Sequence, residues 1–138
     1  MPAKDVFHQA VRHALEKDGW TITNDPLLVD LKEVRVFIDL GAERLIAAES
    51  ENETIAVEVK SFVGGSTISE FHTALGQFIN YRLFLKISDP KRTLYLAVPS
   101  ETHEEFFTGR IISQILKENN LKIIVYEPTA EVIEQWIN

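Results

Sequence analysis

Phe7, Ala10, Val11, Ala14 and Leu15 recur at intervals of three and four, with His8, Arg12, His13, Glu16 and Lys17 between them. That period gathers the apolar side chains on one face of a helix, and Asp18-Gly19 supplies its stop. From Trp20 to about Glu58 the pattern shortens to strand-like runs: WTIT, VRVFIDL, RLIAAE and TIAVEVKSF. Asn24-Asp25-Pro26 and the polar turn Ser50-Glu51-Asn52-Glu53 separate them, which predicts two or three consecutive strands, at least partly antiparallel.

Gly64-Gly65 breaks the last of these strands, and Thr67 with Glu70 three residues later predicts a capping box that opens a long helix. Its core stripe reads Ile68, Phe71, Leu75, Phe78, Ile79, the stem of Arg82, and Leu85. After Asp89-Pro90, RTLYLAVP is apolar enough to be a strand buried on both faces. Ser100 is expected to cap a helical segment through Phe107, Ile111 to Leu116 form another helix ended by Asn119-Asn120, and LKIIVY is a final inner strand. AEVIEQWIN has Val132, Ile133, Trp136 and Ile137 at helical spacing and predicts a short docked helix. A helix of about twenty residues between IAVEVKS and LYLAVP points to a βαβ crossover, hence an α/β sandwich around a mixed sheet.

Composition narrows the function. At 138 residues with 45% hydrophobic and 25% charged, the chain predicts a single domain over residues 1–138. No apolar run approaches the roughly 18 residues that span a membrane, and the first twenty residues are amphipathic and charged, so a cytoplasmic protein without a membrane partner is expected. The absence of cysteine excludes thiol catalysis and Cys-based zinc sites. A formal charge of −7 argues against a broad phosphate-binding surface.

The candidate chemistry begins at IAVEVKS. In a strand, residues i and i+2 share a face, so Glu58 and Lys60 are neighbours on one side. An isolated Glu-x-Lys is commonly only the solvent side of a half-exposed strand. Here the strand leads into a crossover helix, toward a sheet interior where an unpaired charge is costly. Asp39 ends VRVFIDL, and an antiparallel hairpin would return Glu58 to its level. Two carboxylates meeting there repel unless a proton or cation stands between them, and Mg²⁺, held by one or two carboxylates plus waters and phosphate, resolves the conflict. Lys60 could then orient the attacking water and stabilise charge on a phosphate. On the long helix Gln77 and Tyr81 are spaced i, i+4, to one side of the core stripe; they suit either a solvent-facing Gln with a half-buried Tyr or two side chains reaching the carboxylates.

Asp39, Glu58-Val59-Lys60 and Gln77-x-x-x-Tyr81 together resemble the PD-(D/E)XK nuclease signature, in the form with a Q-x-x-x-Y helix. Across essentially the whole chain, MPAKDVFHQAV, GWTITNDPL, IDLGAERLIAAE, AVEVKSF, ALGQFINYR, LYLAVP and EQWIN resemble the XisH family, named for control of excision of the fdxN element. The resemblance implies a restriction-endonuclease-like αβββαβ core, a mixed central sheet flanked by helices. It implies Asp39 and Glu58 as ligands of Mg²⁺, with Mn²⁺ as substitute, the Val59 carbonyl completing the shell, Lys60 as catalytic lysine, and Gln77 and Tyr81 as supporting site residues. His8 stands near where related nucleases carry a first-helix glutamate and is a candidate ligand or proton carrier. Ile38 replaces the proline that often precedes the aspartate.

The implied partners are DNA, an XisI-like protein and a second copy of the chain. Two functions stay open at this point: a Mg²⁺-dependent endodeoxyribonuclease acting in DNA rearrangement, or a non-catalytic accessory protein that uses the nuclease fold to bind a partner or DNA. The five-residue set favours the first, and the acidic charge favours the second.

Overall fold

The computed structural model describes residues 5–45 and 52–138, with the side chain of Leu45 left aside. The RLIAAE strand beyond Leu45 and the Ser50-Glu51 turn lie outside the described residues. A six-stranded mixed sheet in the order β1-β4-β5-β6-β7-β8 is built from β1 (Thr21–Asn24), β4 (Leu40–Leu45), β5 (Asn52–Val59), β6 (Thr93–Pro99), β7 (Ile123–Glu127) and β8 (Val132–Ile137). The pairings β1-β4, β4-β5 and β7-β8 are antiparallel, and β5, β6 and β7 run parallel. A second sheet of two strands, β2 (Leu27–Asp30) and β3 (Arg35–Ile38), is an antiparallel hairpin. Among the described residues four helices complete the mixed α/β fold: α1 (His8–Lys17), α2 (Thr67–Ser88), the short α3 (Ser100–Thr102), which runs on into a π-helical turn over His103–Phe107, and α4 (Arg110–Glu118). Among the described residues no helix is long and apolar enough to cross a membrane.

Alternation along β5 and β6 divides two apolar cores. Ile55, Val57, Val59, Tyr95 and Ala97 face α1 through Val11 and Leu15. Ala56, Leu94, Leu96 and Val98 face α2 through Phe71, Ala74 and Phe78, with Leu27, Val29 and Ile38 of the hairpin closing the same layer. Glu58 therefore belongs by alternation to the α2 side.

Four local expectations change. VRVFIDL is two strands, because Arg35–Ile38 pairs with β2, which is not among the runs predicted above, and the chain bends at Asp39 before entering the main sheet. AEVIEQWIN is strand β8 rather than a helix. A register shift leaves Val125 opposite Gln135 and Tyr126 opposite Ile133, so Glu134 is an extra residue. The bulge brings Ile133 and Trp136 to one face although they are three apart, a spacing that mimics helical period. The cap of α2 is Ser66, whose hydroxyl accepts the Ser69 N–H at 3.3 Å, while the Glu70 carboxylate accepts the Gly64 N–H at 3.1 Å. Ser100 is the first helical residue after Pro99 rather than a cap.

Gly41 is required by a close approach. A Cβ there would stand 2.9 Å from Asn24 Oδ1, 3.2 Å from Asn24 Cβ and 3.1 Å from Arg92 Nη1, the atom that donates to the Ile55 carbonyl at 2.9 Å. Gly41→Ala is expected to destabilise the protein by about 1–3 kcal/mol through this overpacking, read as a lower urea midpoint at unchanged slope.

Candidate active site

The β4-β5 hairpin sets Leu40 opposite Val57, so Asp39, one residue before Leu40, comes level with Glu58. The Asp39 N–H donates to Glu58 Oε1 at 3.3 Å, and the Asp39 carboxylate (Oδ2) accepts the Val59 N–H at 2.7 Å. The two carboxyls are close enough to interact directly. Burial, then the charge of Asp39, pushes the Glu58 carboxyl up to about 8, and burial raises Asp39 as well.

Lys60 follows on the same side. Its Nζ is 3.7 Å from Glu58 Oε2, and its backbone is clamped by an N–H bond to the Ala97 carbonyl at 3.0 Å and by the Tyr126 hydroxyl donating to its carbonyl at 3.1 Å. A cavity of about 300 Å³ opens beside it between Asp5, Lys60, Ser61, Ser69, Glu70 and Thr73. The Asp5 carboxylate accepts the Ser61 N–H at 3.0 Å and so helps fix the strand end that carries Lys60.

Tyr81 comes to this group from α2. Burial first, then the negative charges of Glu58 and Asp39, hold its phenol above the ordinary range. Gln77, one turn earlier, is half-buried, and its side-chain carbonyl oxygen is buried with no hydrogen-bond partner. That buried acceptor is available to a water or substrate donor on the α2 side.

His8 is held by Asp25 rather than by the carboxylate pair. It is 2% exposed, and its Nε2 bonds Asp25 Oδ1 at 2.7 Å, while Arg12 Nη1 donates to Asp25 Oδ2 at 2.6 Å. With Asp25 accepting at Nε2, the remaining lone pair of a neutral ring lies on Nδ1, a buried atom without a partner. Its charge would be felt at Asp39. Among the described residues, however, no three His, Asp or Glu side chains are grouped to hold a metal ion, so the donor set here is two carboxylates without His8. Two carboxylates suit Mg²⁺, which keeps several waters, better than an ion that needs a full protein cage. Asn24-Asp25-Pro26 has the composition of plain turn punctuation, and no spacing signal marks Asp25; Asp5, one turn before His8, falls near the first-helix position that the resemblance already brought forward.

The structure thus defines a mixed α/β protein with a buried pair of carboxyls and an adjacent lysine at the C-terminal end of a parallel strand. The family model described as XisH protein matches residues 1–134, and the chain belongs to the XisH family. The crystal structure of an XisH family protein from Nostoc punctiforme PCC 73102 is 53% identical, with a TM-score of 0.88, covering 97% of this chain and 100% of that one. A second crystal structure, of an fdxN element excision controlling factor protein from Anabaena variabilis, is 51% identical, with a TM-score of 0.89, covering 98% of this chain and 100% of that one. No curated protein matches the chain.

Proposed function

We propose that the chain is an excision-control factor in fdxN-type DNA rearrangement, with a restriction-endonuclease-like core and a Mg²⁺-dependent endodeoxyribonuclease site of the PD-(D/E)XK type. The observation that carries the reading is the buried pair of carboxyls, Asp39 and Glu58, with the Lys60 ammonium 3.7 Å from Glu58 Oε2. The name of the Anabaena variabilis relative supports the role in excision. Held by Asp39, Glu58 and the Val59 carbonyl, Mg²⁺ (Mn²⁺ as substitute) would supply Lewis-acid polarisation of a phosphate and a water of lowered pKa. Lys60 would orient that water and stabilise charge on the phosphate oxygens. Tyr81, and Gln77 one turn before it, would hold substrate or water on the α2 side of the carboxylates. His8 would keep its place through Asp25, as an anchor of α1 near the site.

The test is cleavage of varied DNA substrates by the purified cytoplasmic protein with Mg²⁺ or Mn²⁺, alone and with an XisI-like partner. Glu58→Ala and Lys60→Ala are each expected to lower the cleavage rate at least about 100-fold. No metal-dependent cleavage under any of these conditions would overturn the enzyme reading. The second reading, a non-catalytic accessory protein using the same fold to bind a partner or DNA, is favoured by the formal charge of −7, which leaves little to attract a phosphate backbone unaided.

A further inference from the structure

From Phe71 to Ser100 a chain of formal charge −7 has a single carboxylate, Asp89. The fold gathers cations beside that stretch. A cavity of about 300 Å³ opens between the C-terminal half of α2 and the start of β6, walled by Arg82, Lys86, Arg92 and Lys122 and by no acidic side chain. Asp89 answers one of the four, accepting Arg92 Nε at 2.9 Å. Arg82 meets no carboxylate: its Nη1 donates to the Asn119 and Asn120 carbonyls at 2.6 and 3.1 Å. Lys86 and Lys122 have no ion-pair partner among the described residues. Lys86 stands in the last turn of α2, where the helix dipole favours a cation, but Lys122 ends no helix and is half-buried. An anion entering the cavity would relieve the repulsion among these groups.

A second cavity, of about 520 Å³, shares Asn120 and Lys122 with the first, and its wall also has no acidic side chain. Phe107, Leu116, Leu121, Ile123 and Ile137 make it apolar, and His103, Thr108 and Ser113 stand among them. Both hydroxyls have given their protons to backbone, Thr108 to the Glu104 carbonyl and Ser113 to the Gly109 carbonyl, each at 2.8 Å, so each presents lone pairs to an incoming N–H. Burial lowers the pKa of His103, which keeps its ring neutral near pH 7, able to donate and to accept. Apolar walls with a few fixed polar groups are the composition of a small-molecule pocket.

We propose that the two cavities together bind a nucleoside phosphate, its phosphate among Arg82, Lys86, Arg92 and Lys122 and its base against Phe107 and Leu116, with an exocyclic amine toward the Thr108 and Ser113 hydroxyls. A bare phosphate would leave the apolar cavity empty, and an acyl chain would leave the hydroxyl acceptors and the imidazole unpaired. The site goes beyond the nuclease reading and does not rest on it. Tyr81 turns to the carboxylates on one flank of α2, and Arg82, about 100° further round the helix, turns to the end of α4 on the other.

Calorimetric titration of ADP into the whole chain, without divalent metal, tests this. Binding is expected with a dissociation constant below about 1 mM, weaker as salt is raised. Lys86→Glu and Lys122→Glu should each raise that constant at least ~10-fold with an unchanged circular dichroism spectrum. Lys32→Glu, the same change of charge in the β2-β3 turn, should leave it within about twofold. Ser113→Leu, which fills the base end, should weaken ADP and spare pyrophosphate. In a heteronuclear NMR titration ADP should shift the amides of residues 92–94 and 120–123 and leave those of 58–60 in place, and Glu58→Gln should bind ADP as the wild type does. No binding at about 5 mM ADP, undiminished affinity in both Lys→Glu proteins, or loss of binding in Glu58→Gln would each overturn the proposal. Pyrophosphate binding as tightly as ADP would overturn the base subsite, and a short single-stranded oligonucleotide binding where ADP does not would give the cations to a nucleic-acid backbone instead.

Discussion

Without divalent metal, the protein is expected to lose stability as pH rises from about 5 to 8, and Glu58→Gln is expected to remove most of that loss. The sign follows from the direction of the shift. Glu58 titrates at 4.5 in a free chain and at about 8 in the fold, so between those values the folded state binds the extra proton. Unfolding then releases a proton, and stability falls with rising pH across the window, reaching its full loss above the folded pKa. The cause is burial first and the Asp39 charge second, and Lys60 at 3.7 Å offsets only part of it. The effect is on the order of a few kcal/mol, large beside the roughly 5–15 kcal/mol by which a domain is stable. Gln keeps the shape and an acceptor for the Asp39 N–H but has no proton to lose. Urea denaturation at several pH values, wild type against Glu58→Gln, reads the difference while other titrating groups cancel. Parallel curves would mean that Glu58 is ionised in the fold and balanced by Lys60. In the proposed site Mg²⁺ would take the place of the Glu58 proton, so added Mg²⁺ should restore wild-type stability near pH 8 and do little for Glu58→Gln.

The same residues show what could be read before the fold was known. Glu58 and Lys60 were assignable to one face because strand alternation is a local rule, and the 19-residue step back to Asp39 matched a hairpin return. Helical spacing alone leaves Tyr81 open between a half-buried place and the carboxylates, and it is the resemblance to the nuclease signature that sets it beside them. The split of VRVFIDL could not be read, since an unbroken apolar run gives no sign that Ile38 belongs to a separate hairpin and Leu40 to the main sheet. Strand β8 was hidden for a different reason: one bulged residue, Glu134, converts strand alternation into a helix-like interval. Ile68 and Ile79 were assigned to the core because periodicity finds apolar positions but does not say which apolar face has a partner. Both are exposed, and Ala74 takes the buried place between Phe71 and Phe78.

Asp25→Ala is expected to cost about 3 kcal/mol and to separate the two roles open to His8. Asp25 receives His8 on one carboxylate oxygen and Arg12 on the other, tying two turns of α1 to the segment that enters β2. His8 is almost fully buried and Asp25 nearly so, with 10% side-chain exposure, so deleting the carboxylate strands a buried imidazole N–H beside a guanidinium with no counter-charge. Breaking a buried pair from one side costs about 3–5 kcal/mol, and the one-third exposure of Arg12 places this case at the lower end. Asp25→Asn, which keeps one acceptor, should fall between. A double-mutant cycle with His8→Ala should return a coupling of about 1–3 kcal/mol; additivity would mean the contact carries no energy. The decisive readout is metal affinity by calorimetry. If His8 is an anchor, as its bond to Asp25 implies, His8→Ala lowers the urea midpoint while Mg²⁺ or Mn²⁺ binding persists, and only Asp39 and Glu58 substitutions abolish it. Loss of metal binding in a folded His8→Ala protein would make the Nδ1 lone pair a ligand, and Asp25 the carboxylate that orients it.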